Sequence, residues 1–265
     1  MPLDTRAGFR VFSRAWGSGR RRALALHCAL GHSGPWEGLA QALPLAMTAF
    51  DLPGHGQSAD WPGGGDYHVA CTDIAAAFCD GPTDLIGHSF GATVALRLAV
   101  ERPDLVRTLT LIEPVFFAAA RADHAPEIAG HDRAFAPFVA AVGAGDPMQA
   151  ARAFTAVWGG AASFDSLSPR RQQAMADRVP LIVAGAPGIE DDSGGLLTPG
   201  RIEGITAPVL LVRGGASPPV IGAVHRALMA RLSDASETII PKAGHMVALT
   251  HPERIAAAMI RRFTL

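Results

Sequence analysis

The stretch Gly87-His88-Ser89-Phe90-Gly91 decides how this chain folds, because it places a serine between two glycines at a change from strand to helix. Residues 83–86 before it form a short apolar run typical of a strand, and residues 92–100 after it are helical in character. The two glycines lack Cβ atoms where the strand and helix backbones would crowd the turn. We therefore expect Ser89 at the tip of a strained turn that exposes its hydroxyl, with the backbone N–H groups of the new helix beside it.

Composition excludes several classes of protein. The chain has 265 residues, 49% of them hydrophobic, which is enough for one large α/β domain or one domain with an insert. Its net charge of −1 gives no electrostatic case for binding nucleic acid or an anionic membrane. No apolar run is long enough for a signal peptide core near the start or for a membrane span, so the expectation is a soluble, cytoplasmic protein.

The three cysteines, Cys28, Cys71 and Cys79, are odd in number and contain no C-x-x-C pair. They are expected to be free, buried thiols rather than a disulfide framework. No histidine pattern has the spacing of a strong metal site, so neither a metal nor a cofactor is expected. Nothing in the sequence indicates the oligomeric state.

Short apolar runs alternate with helical segments, which predicts an α/β fold: a mostly parallel central sheet flanked by helices. The predicted strands are residues 9–16, 23–27, 45–51, 83–86, 108–113, 207–214 and 237–240, and the clearest helices besides 92–100 are 67–78 and 252–263. Residues 115–200 break this rhythm with Ala- and Phe-rich helices at 127–142, 146–158 and 168–183, for which Asp146 and Ser168 are candidate N-caps. The prediction is a core of residues 1–114 and 201–265 with an inserted helical cap, residues 115–200.

A serine nucleophile needs a base that takes its proton, and His245 is the best candidate. It lies in Gly244-His245-Met246, between the last predicted strand and the terminal helix, where a loop is free to reach Ser89. His27 ends a strand and is expected to shape the loop that follows it, and His88 is expected to pack beside the nucleophile.

Together these features resemble the α/β-hydrolase superfamily, in its single-domain form with a helical cap. The resemblance rests on His27 with its loop, residues 51–58 (Asp-Leu-Pro-Gly-His-Gly-Gln-Ser), the Ser89 motif and Gly244-His245. It covers nearly the whole chain and implies a Ser–acid–His triad and an oxyanion loop after His27.

The acid of that triad is where the chain departs from the family. The usual acid follows the strand at 209–212, but the turn there reads Arg213-Gly-Gly-Ala-Ser-Pro-Pro219, with Ser217 in its place. Serine cannot stabilise an imidazolium as a carboxylate does. Glu113 ends the strand after the Ser89 helix at the same sheet edge, as in family members whose acid follows the sixth strand, and is the expected acid. Asp51 is the alternative, although it suits holding the 51–58 turn better.

Further site residues follow from the same resemblance. The oxyanion hole is expected to use the backbone N–H groups of Phe90 and Ala29, with Cys28 as the second choice for the latter. The candidates for the substrate pocket are Cys28, His88, Trp36, Phe116, Phe117, Phe135 and Phe138. For Trp36 and the four Phe residues, a place in the plain core of the cap is the preferred interpretation.

The expected function is that of a serine hydrolase that cleaves a small or medium carboxylic ester, or a related acyl compound, through an acyl-enzyme. The expected partner is therefore a small-molecule acyl substrate. Dehalogenase and epoxide hydrolase chemistry are disfavoured, because those relatives place Asp where this chain has Ser89. Two alternatives stay open: a carbon–carbon bond hydrolase of the same fold, and a ligand-binding protein with a near-silent triad.

Overall fold

The computed structural model describes residues 3–159 and 164–265, and its centre is a seven-stranded sheet. The strands are β1 (Asp4–Arg6), β2 (Phe9–Val11), β3 (Ser13–Trp16), β4 (Arg22–Leu26), β5 (Ala46–Phe50), β6 (Thr83–His88), β7 (Val106–Ile112), β8 (Val209–Gly214) and β9 (Ala235–Ile240). The large sheet has the order β3-β5-β4-β6-β7-β8-β9, with β3 antiparallel to β5 and the other pairs parallel. Strands β1 and β2 pair separately as an antiparallel ribbon. The predicted α/β fold is confirmed.

Helices connect these strands. They are α1 (Glu37–Gln41), α2 (Tyr67–Ala76), α3 (Phe90–Glu101), α4 (Phe117–Ala122), α5 (Glu127–Gly143), α6 (Pro147–Trp158), α7 (Pro169–Ala176), α8 (Val179–Glu190), α9 (Pro219–Met229), α10 (Val247–Thr250) and α11 (Pro252–Phe263). Short 3-10 turns lie at Gly34–Trp36, Pro103–Leu105 and Phe164–Ser166.

Alternate residues of the central strands enter two separate hydrophobic cores, one on each face of the sheet. In β4, Leu24 and Leu26 pack into the larger core with α2 and α3, while Ala23 and Ala25 face the smaller core with α1 and α11. Because side chains of a strand point to opposite faces in turn, a sheet covered on both sides reads as a continuous apolar run. This is why β4, β6 and β7 were recognisable from sequence.

Parallel strands bring their carboxyl ends to one edge of the sheet, and the candidate residues gather there. Strand β6 lies between β4 and β7, and it runs directly into Ser89 and α3. Glu113 follows the neighbouring β7, and the loop that begins at His27 follows β4 on the other side. Ligand sites of open α/β sheets lie at this edge.

Helices α4 to α8, here called the cap helices, fill the chain between β7 and β8. Several of their side chains form a small core of their own, including Phe138, Ala150 and Phe164. Helix α8 packs instead on α3, where Gly185 lets the backbone approach the Phe90 ring: a Cβ atom there would lie 2.7 Å from it. The proposed division into core and inserted cap stays a prediction.

Two expectations for the cap helices differ from the structure. The predicted helix at 168–183 is two helices, α7 and α8, and the Ser168 side chain makes no capping hydrogen bond. Asp146 does cap α6 as expected, since its carboxylate accepts from the Gln149 N–H. The sequence pattern also missed α4 and α9.

Candidate active site

Ser89 stands at the tip of the turn between β6 and α3 with a backbone φ of 55° and ψ of −118°, a strained conformation for a residue other than glycine. Glycine is required on both sides. A Cβ atom on Gly87 would lie 2.4 Å from the Ala92 Cα, and one on Gly91 would lie 2.3 Å from the Leu26 carbonyl oxygen. The Ser89 N–H donates to the Ile112 carbonyl at 2.9 Å, so the turn is tied to the next strand.

His245 bridges Ser89 and Glu113. Its Nε2 atom is 2.9 Å from the Ser89 Oγ, and its Nδ1 atom is 2.9 Å from the Glu113 Oε2. A carboxylate at Nδ1 requires the proton on that nitrogen, which leaves Nε2 free to accept the serine proton. The structure thus brings the three predicted residues into one hydrogen-bonded chain, in which all three are buried.

The Glu113 carboxylate is held by three donors. Besides His245 at Oε2, its Oε1 accepts from the Gly214 N–H and from the Ser217 hydroxyl, each at 2.6 Å. Burial acts to raise the pKa of this carboxyl, but the hydrogen bonds from His245, Ser217 and Gly214 outweigh it and hold the pKa below its ordinary value. Ser217, at the position where the family resemblance leads one to expect an acid, instead donates to the Glu113 carboxylate that follows β7.

His88 fixes the position of the loop that carries His245. Its Nε2 atom donates to the His245 carbonyl oxygen at 2.8 Å, which requires a proton on that nitrogen. Burial, and the neighbouring His245 ring, lower the pKa of His88 to about 3, so the ring stays neutral. A neutral imidazole here supports the loop without adding a positive charge beside the base.

The loop after β4 is shaped by buried histidines. The His27 Nε2 accepts from the Leu52 N–H at 2.9 Å, and its Nδ1 therefore donates to the Cys28 carbonyl at 2.7 Å. His55 accepts from the Leu30 N–H at 3.1 Å, and Leu30 itself has a φ of 60°. Burial lowers the pKa of His27 to about 4 and that of His55 to about 3, so both rings act as neutral supports.

Asp51 serves the same loop system and makes no contact with His245. Its Oδ1 accepts from the Ser33 N–H at 2.6 Å, and its Oδ2 accepts from the Gln57 N–H at 2.8 Å. Both carboxylate oxygens thus accept hydrogen bonds from backbone N–H groups, which fits the interpretation that Asp51 holds the 51–58 turn. Within residues 3–159 and 164–265, neither the Ala29 N–H nor the Phe90 N–H donates a hydrogen bond, which leaves both donors available to a ligand.

A cavity of about 300 Å³ opens above Ser89 and His245. Its floor is the β4 loop with His88, one wall is Met246 and Leu249, and its roof is built by cap side chains that are mostly apolar. The cap contribution consists of Phe154, Thr155, Trp158, Gly159, Leu167 and Met175. The Thr155 hydroxyl donates to the Ala151 carbonyl and is thus already paired. No Lys or Arg side chain lines the cavity among the described residues.

Of the seven residues named for the pocket, three line this cavity and four do not. Cys28, Trp36 and His88 line it, and burial raises the pKa of the Cys28 thiol to about 12, so it is a neutral wall. Phe116 and Phe117 instead lie in the large core under α4, and Phe138 lies in the cap's own core. Phe116 and Phe117 follow β7 directly, and α4, which begins at Phe117, packs on α9, α8 and α5.

Phe135, considered with them, packs on Phe138 at 4.6 Å between ring centroids and lines an outer groove between α5 and α8. Sequence reasoning missed Phe154, Trp158, Leu167, Met175, Met246 and Leu249 as lining residues. The i, i+4 spacing of Phe154 and Trp158 was a usable signal, because it places both rings on one face of a predicted helix.

The described residues contain no group of three or more His, Cys, Asp or Glu side chains arranged to hold a metal ion. Among them there is also no helix with the length and apolar character to cross a membrane.

Known proteins resemble this chain in sequence and in fold. A family profile described as the alpha/beta hydrolase family matches residues 23–258. Lipase LipV of Mycobacterium tuberculosis is 40% identical over 101 residues, which are 37% of this chain and 38% of that protein. Esterase Rv0045c of the same organism is 33% identical over 103 residues, 37% of this chain and 34% of that protein. The matches thus span little more than a third of these relatives' length.

The fold is shared over its full length with solved structures. The enol-lactonase of Burkholderia xenovorans LB400 superposes with a TM-score of 0.76, covering 100% of both chains at 17% sequence identity. A likeness at this identity concerns the arrangement of strands and helices.

Proposed function

The chain belongs to the alpha/beta hydrolase family, and from that premise we propose that it is a serine hydrolase that cleaves an uncharged carboxylic ester of small or medium size through an acyl-enzyme. The observation that carries the proposal is the placement of His245 between Ser89 Oγ and Glu113, each at 2.9 Å, at the floor of an apolar cavity.

The proposed reaction begins when Ser89 Oγ attacks the ester carbonyl and His245 Nε2 takes its proton. Glu113 holds the imidazole in the correct tautomer and stabilises the imidazolium that forms. The carbonyl oxygen, now negative, accepts hydrogen bonds from the N–H groups of Phe90 and Ala29, each worth about 3 kcal/mol in comparable sites.

His245 then returns its proton to the departing alcohol, which leaves an ester bond between the acyl group and Ser89. Water attacks this ester with His245 again as the base, and the carboxylic acid is released. Each proton is transferred to or from one nitrogen of His245, Nε2, because the N–H at Nδ1 stays hydrogen-bonded to Glu113.

The lining of the cavity supports an uncharged acyl group. An anionic acid group would lose its hydration there without a cationic side chain to replace it, which is costly. The names of the relatives LipV and Rv0045c, a lipase and an esterase, agree with this substrate class. The carbon–carbon hydrolase alternative, with its anionic substrates, finds no such support among the described lining residues.

The first experiment asks whether Ser89 is activated. A fluorophosphonate probe is incubated with the native protein and with the Ser89→Ala and His245→Ala variants. We expect rapid labelling of the native protein, none of Ser89→Ala and very slow labelling of His245→Ala. Absent labelling of folded native protein would favour the ligand-binding alternative.

The second experiment asks whether the cavity selects the acyl chain. Hydrolysis of p-nitrophenyl esters from acetate to palmitate is compared in the native protein, Phe154→Ala and Phe138→Ala. The two rings lie 5.9 Å apart, centroid to centroid, but Phe154 lines the cavity and Phe138 is buried in the cap core. We expect Phe154→Ala to shift the optimum to longer acyl chains and Phe138→Ala to lower stability at an unchanged optimum. Equal shifts in both variants would contradict the assigned cavity.

A further inference from the structure

The indole of Trp158 lies directly against the ring of His245. The two ring centroids are 4.7 Å apart, and the ring planes are inclined by 56°. Trp158 is the last residue of α6 and is 5% exposed, and it also lines the cavity above Ser89. The cap helices thus reach the base itself, from the side opposite to the sheet.

Aromatic rings behind Trp158 keep it in this place. The Phe117 ring stacks on it at 5.8 Å between centroids, and the His131 ring lies 5.9 Å away. His131 in turn packs on Phe117 at 4.2 Å, and its Nε2 lies 3.6 Å from Glu190. These rings of α4 and α5 therefore back the indole on one side, while another side of it faces the cavity.

An aromatic ring at this distance attracts a cation. The faces of indole rings carry negative charge, and a cation within about 6 Å of the ring centre is stabilised, more so where water is excluded. The neutral His245 gains little from this contact, whereas the imidazolium that forms during the reaction gains more. An interaction that strengthens as the transition state forms accelerates the reaction.

We propose that Trp158 is a positioning residue of the hydrolysis: it holds the His245 ring from the cap side and stabilises the imidazolium formed when Ser89 gives up its proton. This inference rests on the proposed function, since it requires His245 to act as the base. It gives the cap a direct part in the chemistry besides shaping the cavity.

Other titratable groups around His245 are accounted for. Glu113 bonds to its Nδ1, and the neutral His88 ring lies 5.3 Å away, centroid to centroid. His131 lies behind the indole and is paired with Glu190. A change confined to the electron density of the indole leaves the contacts of His245 with Glu113 and His88 in place, which defines the test.

The test replaces tryptophan with its mono-, di- and trifluorinated analogues during expression. Each fluorine withdraws electron density from the indole face and weakens its attraction for a cation at nearly constant shape. The chain has four tryptophans, so the series is repeated in Trp158→Phe and in Trp36→Phe, whose indole also lines the cavity. In the native protein and in Trp36→Phe, we expect kcat for ester hydrolysis to fall with each added fluorine, by about tenfold from the unsubstituted to the trifluorinated indole. In Trp158→Phe we expect no such fall.

A second readout needs no substrate. Nitrogen NMR of the His245 ring follows the pH at which it gains its second proton, and we expect this pH to fall with each fluorine wherever Trp158 is present. The role of Trp158 would be overturned if fluorination changed neither kcat nor the protonation pH of His245 in the native protein. It would also be overturned if kcat fell with fluorination as steeply in Trp158→Phe as in the native protein. Ester hydrolysis that survives Ser89→Ala would instead overturn the proposed function, and the NMR series would still test the contact.

Discussion

Two buried carboxylates lie at opposite ends of the neighbouring strands β6 and β7, and their partners differ in kind. At the amino end, Asp84 accepts hydrogen bonds from Arg21, Arg107 and the Thr108 hydroxyl. At the carboxyl end, Glu113 is bonded to His245, Ser217 and the Gly214 N–H. An arginine is always charged, whereas a histidine can be neutral or charged near neutral pH.

The difference between arginine and histidine partners indicates which role each end of the sheet can have. Both arginine partners of Asp84 stay charged, so that cluster contains no partner that exchanges a proton near neutral pH. In the Glu113 cluster the partner His245 is a side chain of the kind that can gain or lose a proton in that range. The backbone of this cluster is also strained, with positive φ values at both Glu113 and Ser89, a cost that stable structure alone does not require.

The largest expected effect removes the chemistry at the carboxyl end. We predict that Ser89→Ala and His245→Ala each lower ester kcat by at least about 10⁴-fold, because the nucleophile and base act as a unit. The unfolding midpoint of each variant is expected to stay close to that of the native protein, which thermal unfolding checks. Retention of more than a hundredth of the native kcat in Ser89→Ala would place the nucleophile elsewhere.

The opposite result is expected at the amino end. Asp84→Asn leaves Arg21 and Arg107 without their carboxylate, but these side chains are 30% and 35% exposed, so solvent screens much of the loss. We predict a loss of roughly 2 kcal/mol in the free energy of unfolding, below the 3–5 kcal/mol typical of fully buried pairs. Denaturant titration measures it, and kcat is expected within about twofold of the native value. A collapse of kcat at unchanged stability would show that the two ends do not have separate roles.

Ser89, His245 and Glu113 could be predicted from the sequence because each lies in a short motif or directly after a predicted strand. The glycines around Ser89 are required by backbone contacts within a few residues, so the strand-turn-helix pattern predicted them directly. His245 and Glu113 were predicted from their places after β9 and β7, since parallel strands bring their carboxyl ends together. The hydrogen bonds of Glu113 to Gly214 and Ser217 depend on the register of β7 and β8, which sequence does not display.

The cap side chains that line the cavity could not be predicted from the sequence, for a physical reason. Apolar residues of cap helices serve equally well in a core or in a cavity wall, and only the packing of one helix on another decides. Phe138 and Phe154 belong to predicted helices, yet one is core and the other lines the cavity. The split between α7 and α8 was missed although Pro180 indicates it, because a proline suits the first turn of a helix and interrupts a helix interior.

A smaller effect is expected at Ser217. Ser217→Ala removes one hydrogen bond from the Glu113 carboxylate and leaves the Gly214 N–H in place, so the carboxylate becomes less well oriented. We predict a three- to tenfold loss of kcat with KM unchanged, which corresponds to the net contribution of a typical hydrogen bond, about 0.5–1.5 kcal/mol. Ser217→Thr keeps a hydroxyl and is the control. If the threonine variant is as slow as the alanine variant, packing rather than the hydroxyl is responsible.

The smallest effect is a dependence of stability on pH. Because the pKa of Glu113 is lower in the folded than in the unfolded protein, its contribution is complete above the unfolded value near 4.5 and is lost as pH falls through the folded value. We predict that the unfolding free energy of the native protein falls below pH 4.5 more steeply than that of Glu113→Gln, by at most about 1.4 kcal/mol per pH unit. Parallel curves from denaturant titrations at several pH values would contradict the assigned direction.

The central claim, that Glu113 orients His245 for the attack by Ser89, is tested most directly by the rate of fluorophosphonate labelling in Glu113→Gln and Asp84→Asn beside the native protein. Both changes replace a buried carboxylate by an amide of nearly equal size, so the comparison isolates position. The account predicts labelling about 10³- to 10⁴-fold slower in Glu113→Gln, since an amide no longer fixes the tautomer of His245, and a nearly native rate in Asp84→Asn. Labelling of Glu113→Gln at the native rate would contradict it and would assign the acid to another residue.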